Sequence, residues 1–194
     1  IGTASTDRGH GIAVDSSGNI FVAGYTTGDL DGESNANPGT ADIFLTKYDA
    51  SGTRQWTRLA GTTGGDESGW SAVAVDGSGN IYVTGWTSGN LDGETNAGGS
   101  DAVLIKYNAS GTRQWTRLLG SAGSDSAWSV AVDGSVTVVS QRALAEFHVI
   151  ETSGCTVAQL LMPQCMTTLE VPSSGPPTGL YCTPTGWPAV GFVD

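Results

Sequence analysis

One phrase is written twice in this chain. Residues 48–61 read YDASGTRQWTRLAG and residues 107–120 read YNASGTRQWTRLLG, with 50–59 and 109–118 identical. Identity of this length inside one chain means one structural unit built twice, and it restricts the fold more than any bulk property does. The repeat extends past the phrase. Residues 9–61 (GHGIAVDSSGNIFVAGYTTGDLDGESNANPGTADIFLTKYDASGTRQWTRLAG) align with residues 68–120 (SGWSAVAVDGSGNIYVTGWTSGNLDGETNAGGSDAVLIKYNASGTRQWTRLLG). A third copy opens at 123–134 with GSDSAWSVAVDG and then stops matching. The first residues, IGTASTDRG, are similar to LGSAGSDSA at 119–127, so the chain is expected to begin at a repeat junction.

Each unit reads as four short strands. In the second copy these are residues 70–75, 80–86, 101–107 and 112–118, rich in Val, Ile, Thr, Tyr and Trp. DGSG and NASG separate the first and the last pair, the short Asp/Asn/Gly turns that close hairpins. The middle connection, TSGNLDGETNAGGS, is longer and reads as a loop. Both length differences between copies, each of two residues, fall in Gly/Asn/Asp/Ser-rich stretches, where insertions leave strand register untouched. Ile81 and Val83 share one face, with Tyr82, Thr84 and Trp86 on the other; Val103, Ile105 and Tyr107 alternate against Ala102, Leu104 and Lys106. Apolar groups on both faces fit a sheet packed between neighbouring sheets. The expected fold is therefore all-β: β-propeller blades, each a four-stranded antiparallel meander, in an incomplete ring of about two to three blades. A solenoid of stacked hairpins is the structural rival.

On this reading the repeated phrase is the turn and last strand of a blade. Gly52 and Gly111 supply turn dihedrals that other residues resist. Trp56 and Trp115 take equivalent places as structural wedges between blades, and a guanidinium of Arg54 or Arg58 lies over the indole. The motifs VDGSGNIYVTGWT, DAVLIKYNASGTRQW and LLGSAGSDSAWSVAVD resemble the SBBP-type β-propeller repeats of bacteria, over roughly residues 1–134. That resemblance implies a bacterial, secreted or surface-exposed protein with many such repeats, and a scaffold without catalytic residues of its own.

Composition divides the chain near Gly134. Residues 1–134 hold 24 of the 29 Gly and one Pro; residues 135–194 hold the other six Pro, both Met and all three Cys. The tail, 135–194, is left unassigned. Either it is a genuine extension or an out-of-frame, disordered junction. SVTVVSQ is expected to pair with residues 128–133, and residues 156–162 read as a short helix ended by Pro163. Cys155, Cys165 and Cys182 are odd in number and lack a CxxC pattern, so a single disulfide with a free thiol is one reading. A net charge of −11 with 8 Lys and Arg argues against nucleic-acid binding. No run approaches the ~20 apolar residues of a membrane helix.

The acidic loops are the first candidates for chemistry. Asp29, Asp31, Glu33, Asn35 and Asp42, with Asn90, Asp92, Glu94, Asn96 and Asp101, offer oxygens of the type Ca²⁺ takes. The competing reading is a solvated loop whose Asp and Asn cap their own turns. Asp15, Asp76 and Asp133 read as turn-closing Asx residues. DASGTRQW resembles the Asp–Gly–Trp docking motif of pyrroloquinoline-quinone dehydrogenases, but is one residue tighter and lacks cofactor ligands. His10 and His148 stand alone, with no triad or zinc pattern. No cofactor is expected.

The functional expectation is a non-enzymatic extracellular or surface module that binds protein or carbohydrate, part of a longer protein, with self-association through exposed blade faces open to it. The alternative is a piece of a propeller enzyme (lyase, hydrolase or quinoprotein) whose site lies in other blades.

Overall fold

The computed structural model describes residues 2–133, 135–142, 146–148 and 159–161. They form twelve strands in chain order: β1 Asp7–Val14, β2 Ile20–Thr26, β3 Asp42–Tyr48, β4 Arg54–Ala60, β5 Asp66–Val75, β6 Ile81–Thr87, β7 Asp101–Tyr107, β8 Arg113–Leu119, β9 Asp125–Asp133, β10 Ser135–Arg142, β11 Glu146–His148 and β12 Gln159–Leu161. Strands β1 to β4 make one antiparallel meander, and β5 to β8 make a second in the same order. These are two four-stranded blades. Strands β9 and β10 are the first two strands of a third, with Val136 opposite Val132.

Consecutive blades stack rather than extend one another. β5 lies against β1, β2 and β3, and β9 lies against β6 and β7. The first strands of the second and third units run parallel, joined by one bridge at Ser71 and Ser129. At each junction the main chain also crosses between blades: Asp66 N–H donates to the Ala41 carbonyl (2.7 Å) and Asp125 N–H to that of Ser100 (2.6 Å).

Alternation decides which neighbour each side chain meets. Phe21, Ala23, Ile43 and Leu45 of the first blade interlock with Ile81, Val83, Val103, Ile105 and Tyr107 of the second in one buried cluster. The opposite face of the second blade, Tyr82, Ala102 and Leu104, packs on Ala127 and Val130 of the third unit. Each blade thus has a forward and a backward apolar face, and neither can be hidden without a neighbour. The first blade shows the consequence. Ile12 and Val14 lie opposite Val22 and Ile20, as Val73 and Val75 lie opposite Val83 and Ile81. Val73 is covered by the preceding blade at 8% exposed, whereas Ile12 and Val14 stand 68% and 60% exposed.

Three expectations need correction. The first strand of the second blade starts at Asp66, earlier than residue 70, because its amide is tied to Ala41 across the junction. The middle connection is not a plain loop. Leu30 and Glu33 exchange two backbone bonds (2.9 and 3.0 Å) around Asp31–Gly32, both at positive φ (55° and 86°), and Leu91–Glu94 repeats this. That is the type I′ turn that an Asp-Gly pair favours, and buried Leu30 and Leu91 anchor it. In the tail, Gln159–Leu161 is strand, paired with Glu146–His148, so pairing overrides local helix propensity there. The remainder of the helix expected at 156–162, and Cys155, Cys165 and Cys182, lie outside the described residues, as does the His148 side chain.

Candidate functional site

The last strand of each blade carries a repeated lattice of charge and indole. In the first blade Arg54 bonds Asp31, the Thr57 hydroxyl donates to the other oxygen of Asp31 (2.7 Å), and Arg58 pairs with Glu33 (3.3 Å). The Arg58 guanidinium lies 5.4 Å from the Trp56 ring centre and donates to the Thr57 carbonyl (2.6 Å). The second blade repeats every member: Arg113–Asp92 (2.9 Å), Thr116 to Asp92, Arg117–Glu94 (3.1 Å), Arg117 over Trp115 (5.7 Å) and onto the Thr116 carbonyl (2.7 Å). A bulge in RQWTR sets this up: with Arg54 opposite Tyr48 and Trp56 opposite Lys47, Trp56 and Arg58 share one face, while Arg54 and Thr57 share the other and both reach Asp31. Behind each indole stands a second aromatic at 6.2 Å, Phe21 or Tyr82, capped in turn by Lys47 (5.4 Å) or Lys106 (5.3 Å).

Trp56 is the wedge that the repeated phrase implies. Its indole sits against Gly111 in the turn of the next blade, so close that a Cβ on Gly111 would approach it to 2.9 Å. Arg58 Nε donates to the Gly111 carbonyl (2.9 Å) and Lys47 Nζ to that of Ala109 (3.5 Å). Both turn glycines take positive φ, 82° at Gly52 and 79° at Gly111, and each turn is closed by Asp49 or Asn108. Arg117 reaches no such turn among the described residues, and its side chain is 56% exposed against 35% for Arg58.

The loop oxygens are dispersed rather than gathered. Asp31, Glu33, Asp92 and Glu94 face arginines. Asp29 accepts the Asn35 amide N–H (2.9 Å), and Asn35 and Asn96 donate their side-chain amides to the Thr26 and Thr87 carbonyls (3.2 and 3.0 Å). Asp101 holds Ala97 N–H (2.8 Å) at the far end of its loop. Among the described residues no three His, Cys, Asp or Glu are placed to hold one metal ion. The effect of this bonding is a stiff rim: the exposed tips at Asp31–Gly32 and Asp92–Gly93 are pinned from below and recur at each blade. Asp15 and Asp76 close their turns as expected, each accepting from the amide two residues on (both 2.9 Å). The Asn19 side chain and burial act oppositely on Asp15, and its carboxyl ends below the usual range. His10 meets the Tyr25 ring edge-on at 5.5 Å.

Sequence reasoning missed the buried carboxylates at the blade junctions. Asp42 and Asp66 are 1% and 0% exposed, Asp101 and Asp125 1% and 6%. Each of Asp66 and Asp125 opens the first strand of a blade and accepts from a residue four positions earlier, Thr62 or Ser121, through both amide (2.6 and 2.8 Å) and hydroxyl (3.0 and 2.9 Å). The signal was present in the repeated spacing Thr/Ser-x-x-x-Asp of GTASTD, GTTGGD and GSAGSD.

Stacked meanders with alternating two-sided cores and inter-blade wedges define this as a β-propeller repeat protein. Residues 1–31 and 55–92 match the family model described as SBBP, beta-propeller repeat, and the chain is an SBBP-type repeat protein. It is also similar to regulatory protein FlaEY of Caulobacter vibrioides, at 33% identity over 155 residues covering 73% of this chain. The chain spans 16% of that relative's length. No helix of the described residues is long and apolar enough to cross a membrane.

Proposed function

We propose that this chain is a non-enzymatic recognition module, working at the bacterial surface or outside the cell as part of a longer array of blades. The observation that carries the reading is the recurrence of one pinned rim at successive blades, Leu30–Glu33 and Leu91–Glu94, each backed by its own arginine pair. Loops fixed on a rigid scaffold are where such folds place recognition, and repetition at a fixed spacing suits a repetitive ligand such as a glycan or an extended protein. The relative's printed name, a regulatory protein, is compatible with action through binding. The bare Ile12–Val14 face of the first blade is read as the seat of another blade of the same type, since the matching Val73 is covered that way.

Glycan and protein arrays probed with the whole chain test the rim. Saturable binding is expected, weakened at least about tenfold, or ~1.4 kcal/mol, by Ser34→Arg with Thr95→Arg. Both residues are exposed on the rim loops, so the melting temperature should not change. Absence of any saturable ligand, or binding indifferent to these substitutions, removes the proposal.

A further inference from the structure

The blade junctions bury the carboxylates of Asp42, Asp66 and Asp101. Asp42, at the start of β3, gives one oxygen to Ala36 N–H (2.7 Å); its Oδ1 is buried and has no hydrogen-bond donor. The second blade repeats this at Asp101, whose Oδ2 takes Ala97 N–H and whose Oδ1 is likewise buried without a donor. In each case the neighbouring charge is the aspartate that opens the next blade, Asp66 beside Asp42 and Asp125 beside Asp101, and in each case it acts against ionisation. The Thr87 hydroxyl favours ionisation of Asp66 but does not complete a hydrogen bond to its Oδ1. No Lys, Arg or His is among the groups acting on Asp42, Asp66 or Asp101.

Two buried like charges with an orphaned oxygen need a compensating positive charge. A metal ion would need six or so oxygens at roughly 2.3–2.6 Å. The space is taken by main chain: Asp42 Oδ1 lies 2.0 Å from where a Cβ on Gly61 would stand, and Asp101 Oδ1 stands in the same relation to Gly120. A proton needs no such room, and it removes the charge from a buried acceptor that lacks a donor.

We propose that each blade junction holds one proton, carried by Asp42 and, one blade on, by Asp101, so that blade stacking responds to pH. Folding at mildly acidic pH then takes up a proton at each junction from solvent. Burial, opposed by the Ala36 hydrogen bond and reinforced by Asp66, pushes the Asp42 carboxyl from 3.8 up to about 6; Asp101 is raised by the same causes. The sign follows. A carboxyl raised in the folded state costs nothing below its unfolded pKa of 3.8, opposes folding increasingly as pH rises from there to about 6, and levels off above it. Asp49, lowered chiefly by its hydrogen bond from Ser51, contributes the opposite slope, losing stability as pH falls below the carboxylate range. Stability is therefore greatest on the mildly acidic side of neutral. This inference does not depend on the rim binding anything.

The test uses the whole chain in metal-free buffer. The melting temperature of the wild type is expected to fall between pH 5 and pH 8. Asp42→Asn with Asp101→Asn, whose amides mimic the protonated acids, should flatten that fall and melt higher than wild type at pH 8. Aspartate carboxyl ¹³C shifts of the wild type should show Asp42 titrating near pH 6 and Asp101 above the ordinary carboxylate range, which holds even if the variant folds poorly. A flat or rising wild-type profile, or carboxyl shifts that all titrate below pH 5, would overturn the proposal. So would millimolar Ca²⁺ restoring the wild type at pH 8 but not the variant, because a cation would then fill the role given to the proton.

Discussion

Replacing Phe21 with alanine is expected to destabilise the chain by about 3–5 kcal/mol, as the loss of a large, fully packed aromatic does. The ring is 1% exposed, lies in the cluster shared by the first two blades, and supports Trp56 at 6.2 Å from behind. Its removal opens a cavity at the blade interface and frees the indole that wedges against Gly111, so the damage falls on both blades. Ile12→Ala is the control. Ile12 is also apolar and also in a strand, but it is 68% exposed on the uncovered face, and its loss should stay within about 0.5 kcal/mol. Denaturant midpoints of the two variants separate burial between blades from apolar character as such.

Gly24→Ala is expected to cost about 3 kcal/mol, at the upper end for forcing atoms into a packed interior. The register of β1 on β2 slips between Gly9 and Gly11, and the bulge brings the Arg8 carbonyl over Gly24. A Cβ there would stand 1.9 Å from that oxygen and 2.8 Å from the Phe44 ring. The obstacle is backbone, so no side-chain rotation relieves it. Gly9→Ala, in the same bulge, meets only Val22 at 3.5 Å and should stay within about 1 kcal/mol of wild type.

What the sequence disclosed and what it concealed follow from range. Strand identity was legible because it is written locally: β7 occupies residues 101–107 as expected, and the opposite faces of Ile81 and Tyr82 enter separate clusters. The indole–guanidinium contact was legible too, since Trp56 and Arg58 are two apart in one strand. The Asp31–Gly32 turn was readable by its dipeptide but hidden inside a polar stretch that looked like one loop. The acid–arginine lattice was not legible, because its partners stand more than twenty residues apart, as Asp31 and Arg54 do, and only sheet register brings them together. The same reasoning hid the junction carboxylates. Asp42 and Asp101 read as loop oxygens until the next blade covered them.

The central claim is that consecutive blades stack through the repeated phrase, indole on turn. Gly52 and Gly111 occupy the same place in that phrase with φ of 82° and 79°, yet a Cβ on Gly52 meets nothing within 4 Å while one on Gly111 meets Trp56 at 2.9 Å. Alanine at Gly52 should cost about 1 kcal/mol, from backbone conformation alone. Alanine at Gly111 should cost at least about 1 kcal/mol more, and that excess should vanish when Trp56 is already alanine. Equal costs for the two glycines, or an excess at Gly111 that survives the loss of Trp56, would contradict the stacking described here.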